Sequence, residues 1–279
     1  MFRYTTFTAV REVALWLIAV LYLLPFFFVI SMSLKDDSEV FGTSPFALPE
    51  TPSLSSFQTV LTAAGNSDVL GGLRNSVIMT GGSVLCLIVL GSLAGYVISR
   101  SASPRWSKSM YYLFLVGIIL PPQLATVPLY MGASTLGLTG TVWGMIVLYT
   151  GMMLPLATFL YSGFFRGLGI EYEEAALIDG ASRGQIFFRI VLPLMSPATG
   201  TVAILGGLII WNDFFTGLVF LGGSEVQTLP VAMYYYVGSL VSQWNQIFAI
   251  VIISMIPILA LYMFAQKKFI QGFAGGLKG

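Results

Sequence analysis

The sequence predicts an all-α polytopic membrane protein: six transmembrane helices, with a charged two-helix loop between the fourth and the fifth. Three observations carry this. Of 279 residues, 56% are hydrophobic and 9% charged, against about a quarter charged in an ordinary soluble domain. The charges bracket long uncharged runs, and a crossing needs only about 20 apolar residues. Between Arg166 and Arg189 that pattern reverses, and charged and small residues alternate with short apolar groups.

The crossings follow in order. Glu12 and Lys35 bracket the first, residues 13–34. Its apolar region is too long for a cleaved leader and no small-x-small cleavage site follows, so it reads as a helix. Arg74 and Arg100 bracket the second, residues 75–99. Lys108 to Arg166 encloses 57 uncharged residues, too many for one helix, and the Gly/Thr/Ser-rich stretch from Gly132 to Gly140 divides them into crossings at 109–131 and 141–163. Pro121, Pro122 and Pro128 suggest a break in the third. The fifth is expected at 196–221 and the sixth at 246–266, followed by a tail over 267–279.

Lysine and arginine placement orients the chain. With the N-terminus inside, eleven of the 13 cations fall on the cytoplasmic side and two, Lys35 and Arg74, outside. That is the positive-inside bias, and it puts both termini in the cytoplasm. The loop from Lys35 to Leu73 is then the sizeable outer segment, either a landing surface for an extracellular delivery protein or a solvated cap on helix ends. The aromatic segment around Glu225 to Asn245 suits the outer interface.

Several function classes are excluded early. Net charge of +1 and no basic run longer than Lys267-Lys268 argue against a nucleic-acid partner. Histidine is absent, which removes the commonest general base and metal ligand. The lone Cys86 permits neither an internal disulfide nor a thiolate cluster.

The cytoplasmic segment over 169–193 carries the strongest signal. Glu171, Glu173 and Glu174 suit the positive end of a helix dipole. Gly180 after Asp179 suits a left-handed helix stop, and Ser182 with Gln185 has capping-box spacing. Two short helices with a bend are expected, closed by Pro193 and Pro197. Ala175 and Ala176 are small enough for another backbone to approach, and Ile178, Ile186, Phe187 and Ile190 are apolar groups that face water unless covered. Each costs about 1.5–3 kcal/mol when exposed. A cleft in a soluble partner would cover them; so would a lipid surface, although four acids there oppose a negative leaflet. In the fifth crossing, Trp211, Asn212 and Asp213 suit sugar hydroxyls and ring faces, while Asp213 also suits a helix-packing hydrogen bond to a second membrane subunit.

The spacing Glu174-Ala175-Ala176, three residues, Gly180, nine residues, Ile190-x-Leu192-Pro193 resembles the signature loop of the membrane subunits of binding-protein-dependent ABC importers. Asn75-Ser76, Gly95-Tyr96 with Arg100, Leu136-Gly137-Leu138 and Trp211-Asn212-Asp213-Phe214 are similar to its carbohydrate branch. The tail Gln266 to Gly272 with Lys278-Gly279 looks like the shorter permease of maltose-type systems.

The resemblance implies a type I ABC importer permease in a bacterial inner membrane. Its implied partners are a second, non-identical permease, a dimer of ATPase subunits docked on the 169–193 loop, an extracytoplasmic sugar-binding protein, a sugar and the lipid bilayer. ATP and Mg would be bound by the ATPase, and no GxxxxGK[ST] phosphate loop occurs in this chain. An ion-coupled secondary transporter is the alternative, together with a permease for a non-sugar solute. An ion-coupled carrier needs ionisable groups at the midplane, and one off-centre acid fits that poorly.

Overall fold

The computed structural model describes residues 6–237 and 242–276, and the side chains of 8–237, 242–263 and 266 within them. The helices are α1 (Thr6–Ser33), α2 (Asp37–Gly42), α3 (Ser55–Thr62), α4 (Val69–Arg100), α5 (Pro104–Ile119), α6 (Thr126–Thr135) and α7 (Val142–Gly167). They continue as α8 (Glu171–Ile178), α9 (Arg183–Ile186), a π-helical turn over Phe187–Val191, α10 (Leu192–Leu194), α11 (Ser196–Trp211), α12 (Phe215–Leu221), α13 (Leu229–Tyr234) and α14 (Trp244–Gly276). No strand occurs among the described residues. The chain divides into two units, residues 1–70 with 232–256 and residues 71–231 with 257–279.

Apolar length decides which helices can span. Among the described residues α1, α4, α7 and the Trp244–Met263 part of α14 are long and apolar enough, and two bent pairs raise the number to six. The first pair joins Pro104–Ile119 to Pro122–Thr135 through a 93° bend. It lies where the third crossing is expected, and its break falls at Pro121-Pro122, where two consecutive residues lack the N–H that continues a helix. The second joins Arg183–Leu194 to Ser196–Trp211 at 71°. The expected fifth crossing, 196–221, is thus not one helix: α11 ends at Trp211, and Asn212 to Phe214 separate it from α12.

In the first unit the segment that follows α1 is folded. Lys35 is 1% exposed and donates from Nζ to Thr43 Oγ1 at 3.0 Å and to the Ser44 carbonyl at 2.9 Å. Asn245 Nδ2 donates to Asp37 Oδ1 at 2.8 Å and to the Lys35 carbonyl at 3.3 Å, while Phe28 meets Phe248 edge-on at 5.2 Å. Tyr236 donates to the Ser67 carbonyl at 3.1 Å.

The second unit holds the larger core, built around Met79 and Leu87 of α4, Met145, Tyr161 and Phe165 of α7, Val191, and Ala198 and Val202 of α11. Small residues let α4 approach α7. A Cβ on Gly91 would lie 2.8 Å from the Ala157 Cβ, and one on Gly95 would lie 2.7 Å from the Tyr161 Cβ. This GxxxG spacing is a real helix contact. The second such spacing, Gly140/Gly144, is not: a Cβ on Gly144 would run into the Leu138 carbonyl of its own preceding turn. Tyr161 donates to Thr199 Oγ1 at 2.9 Å and ties α7 to α11.

Candidate functional site

The α8–α9 segment folds as its local chemistry dictates. Three glutamates occupy the first turn of α8. The helix ends in a Schellman motif: Gly180 sits at φ +80° and donates to the Leu177 carbonyl, and Ala181 donates to the Ala176 carbonyl, both at 3.0 Å. Ser182 and Gln185 form the capping box that opens α9. The exit into α11 is less regular, through the π-turn and then a break at Met195. Such turns sit in strained or working segments of helices.

A buried polar cluster holds this segment against the end of α4. Arg100 Nε donates to Glu173 Oε1 at 2.7 Å and Nη2 donates to the Leu168 carbonyl at 2.8 Å. The Tyr96 hydroxyl donates to Glu173 Oε2 at 2.6 Å. The Tyr96 ring packs on Phe165 of α7 and on Phe187 of the π-turn, with centroids 5.6 and 5.1 Å apart. One residue of α4 therefore touches both halves of the loop and α7. Charge-assisted bonds of this kind are roughly twice as strong as neutral ones.

The expected loop residues divide between two faces. Glu174, Ala175, Asp179, Gly180 and Pro193 are exposed. Ala176 is 6% exposed and belongs to the core, and Ile190 is half-buried against it. Two readings need correction. Ile186 and Phe187 do not await a partner, because they lie in this chain's own core; Ala176 is small because it packs inward. Glu173 is not a free acid opposing a lipid headgroup, since both of its oxygens are bonded inside the protein. Ile178 is exposed as expected, at 87%, and the other exposed apolar groups of the segment are Ile170, Tyr172, Leu177 and Phe188. Sequence reasoning passed over Arg100 and Tyr96 as loop partners, because nothing local ties them to a segment some 70 residues on.

The second candidate set, Trp211, Asn212 and Asp213, does not converge. Trp211 is buried and lines a cavity with Val77, Gly81, Gly207, Pro257 and Leu261. Asn212 is exposed, and its Nδ2 donates back to the Leu208 carbonyl at 2.8 Å. Asp213 lines a different cavity. Its Oδ2 accepts from the Tyr149 hydroxyl at 2.9 Å and from the backbone N–H groups of Thr216 and Gly217 at 3.0 and 3.3 Å. Those two N–H groups are orphan donors of the first turn of α12. Asp213 thus braces a helix start inside its own chain.

Fold and site together define a polytopic membrane protein with a two-helix appendage clamped to one end of its bundle. Residues 87–274 match the family of binding-protein-dependent transport system inner membrane components. The chain is 35% identical over 263 residues to the melibiose/raffinose/stachyose import permease protein MelC of Bacillus subtilis, covering 93% of this chain and 92% of that one. It is 32% identical to the multiple sugar-binding transport system permease protein MsmG of Streptococcus mutans, with 92% of each covered. A solved bacterial ABC transporter involved in importing the acidic polysaccharide alginate contains a chain of the same fold, with a TM-score of 0.81 at 22% identity over 96% of this chain and 100% of that one.

This chain belongs to the family of binding-protein-dependent transport system inner membrane components. It is a permease subunit of the inner membrane, and the ATP hydrolysis that drives transport takes place in a separate subunit. A partner permease and a substrate-binding protein complete such a system. Membership sets aside the ion-coupled carrier.

Proposed function

We propose that this permease forms half of the translocation pathway of a sugar importer, and that the α8–Gly180–α9 segment docks into its ATPase on the cytoplasmic face. Glu174, Ala175, Ile178, Asp179 and Gly180 supply the docking surface. Ala176 and Ile190 anchor it from inside, and Pro193 ends it. The observation that carries this reading is the Arg100–Glu173–Tyr96 cluster. An appendage that only lay on lipid would need no buried ion pair to fix its angle, whereas one that transmits a movement must not swivel on its base.

The rest of the assembly follows from this orientation. The eleven cations assigned to the inside support a cytoplasmic position for the docking segment and both termini. The tail over 267–279 has its last three residues outside the described range, and of its side chains nothing is described. ATP and Mg are held by the ATPase dimer. The second permease is a non-identical chain, and an extracytoplasmic binding protein delivers the solute. The names of the relatives, melibiose/raffinose/stachyose import and multiple sugar-binding transport, support a sugar as that solute.

Ile178→Asp tests the docking role. It alters an 87% exposed side chain that no core contact needs. The permease should reach the membrane in normal amount while its ATPase no longer co-purifies and uptake stops. Normal co-purification with normal uptake would refute the assignment.

A further inference from the structure

Two helix breaks lie against one cavity. The α5/α6 break contributes Gln123 and Thr126, the α11/α12 break contributes Asp213, Phe215 and Thr216, and Tyr149 of α7 closes the wall between them. Depth agrees as well. Helices α5 and α11 are each 16 residues long, so each break lies about 24 Å from the inner end of its helix at 1.5 Å per residue. Tyr149 is 18 positions from the end of α7 at Gly167, or about 27 Å by the same rise. Irregular backbone at membrane depth is tolerated where it lines a cavity, and paired helix breaks mark solute sites in other transporters.

The lining is mostly apolar, and Gln123, Thr126, Tyr149, Asp213 and Thr216 are its polar members. Asp213 presents Oδ1, which makes no hydrogen bond among the described residues because the three donors all meet Oδ2. Gln123 offers an amide that both donates and accepts, and Thr126 offers a hydroxyl. Phe215 is 47% exposed and offers a ring beside them. No second acid and no cation line the cavity, and the donors on Oδ2 offset much of the Asp213 charge, which disfavours an inorganic ion or an ionic solute. The volume is about 150 Å³, the size of an engineered protein cavity that accepts one benzene ring. It can seat at most one sugar ring and not an oligosaccharide.

We infer that the cavity formed where the two broken helices meet is a sugar-ring subsite of the pathway, with Asp213 Oδ1, Gln123 and Thr126 reading ring hydroxyls and Phe215 covering a ring face. This rests on the sugar-importer reading above and adds residues to it. Asp213 has two duties here, bracing α12 through Oδ2 and meeting solute through Oδ1, so its own substitution is a poor test. The side chains of Gln123 and Thr126 make no hydrogen bond among the described residues, and Phe215 is half-exposed.

The test uses the complete transporter, with its ATPase, partner permease and binding protein, in liposomes. Uptake of a panel of mono-, di- and trisaccharides is measured for wild type, Gln123→Leu, Thr126→Val and Phe215→Ala, alongside the ATPase rate stimulated by loaded binding protein. The subsite predicts a change of fivefold or more in the ratio of uptake rates between sugars that differ at one hydroxyl. Unchanged ratios in a wild-type-active complex overturn the subsite and leave the importer reading standing. Equal loss for every sugar, with a lower yield of assembled complex, marks the cavity as a seat for a helix of the partner permease and also overturns it. A wild-type complex that accumulates no sugar overturns both.

Discussion

Arg100 on α4 and Glu173 on α8 meet at 2.7 Å across 73 positions of sequence. Their side chains are 17% and 9% exposed, so the pair lies largely out of water. Removing one partner of such a pair leaves the other charge buried, at a cost of about 3–5 kcal/mol. Glu173→Gln is expected to loosen α8 without unfolding the bundle. Hydrogen exchange over residues 171–181 should quicken by about two to three and a half orders of magnitude, since each 1.4 kcal/mol is about a tenfold change. The exchanged pair Arg100→Glu with Glu173→Arg should recover part of the protection. Recovery of none would mean that the ion pair is incidental.

Gly180 tests the bend. Its φ is +80° and a Cβ there would meet nothing within 4 Å, so Gly180→Ala costs only the left-handed backbone, about 1–2 kcal/mol. Gly180→Pro forces φ to about −65° and removes the N–H that donates to Leu177. Uptake should persist in reduced form in the first variant and vanish in the second, with membrane insertion normal in both by immunoblot.

The contact between α4 and α7 makes a matched pair of glycine substitutions. Gly95→Ala would place its Cβ 2.7 Å from the Tyr161 Cβ and 3.1 Å from a backbone nitrogen. Overpacking of this kind costs about 1–3 kcal/mol. Gly163→Ala faces open space in the same helix pair and should gain up to about 1 kcal/mol from helix propensity. Thermal unfolding in detergent should move in opposite directions for the two.

Tyr236 gives a pH signature outside the spans. Burial first, and then the negative charge of Asp68, hold its hydroxyl above the ordinary tyrosine range. A phenol whose folded-state value is raised stabilises below its unfolded value, near 10, and that stability is lost as pH rises through the folded value. Alkaline titration should loosen the region around Ser67 and Tyr236, and Tyr236→Phe should abolish that dependence. Near-ultraviolet absorbance at 295 nm follows the ionisation.

Asp213→Ala tests the bracing role. Losing a cap-like acceptor costs about 0.5–2 kcal/mol, and Tyr149→Phe removes one donor to the same oxygen. The double variant should cost less than the sum of the two, because both act on one oxygen. Strict additivity in unfolding measurements would show that the 2.9 Å contact carries no energy.

Local signals were legible where local chemistry decides. The stop at Gly180, the capping box at Ser182 and the proline break after Ile119 each depend on a few adjacent residues, and each could be read in order. The break at Asn212 to Phe214 was not legible, because Asp213 inside an apolar run looks like a mid-helix carboxylate until the donors of α12 are placed around it. The inward roles of Glu173, Ile186 and Phe187 were hidden for a related reason. Alternation of polar and apolar residues shows that a short helix has two faces, and only the packing of α4 against α7 shows which face is covered. The match to known permeases came through spacing, which survives such errors about individual side chains.

Lys35 reads as one of two positive charges on the outer side of the chain, yet in the folded segment its ammonium is enclosed and bound to a threonine hydroxyl and a carbonyl. Arg74 by contrast stays exposed. Folding therefore withdraws one of those two cations from solvent and leaves the other accessible. Asp37 and Glu50 of the segment that follows α1 stay exposed.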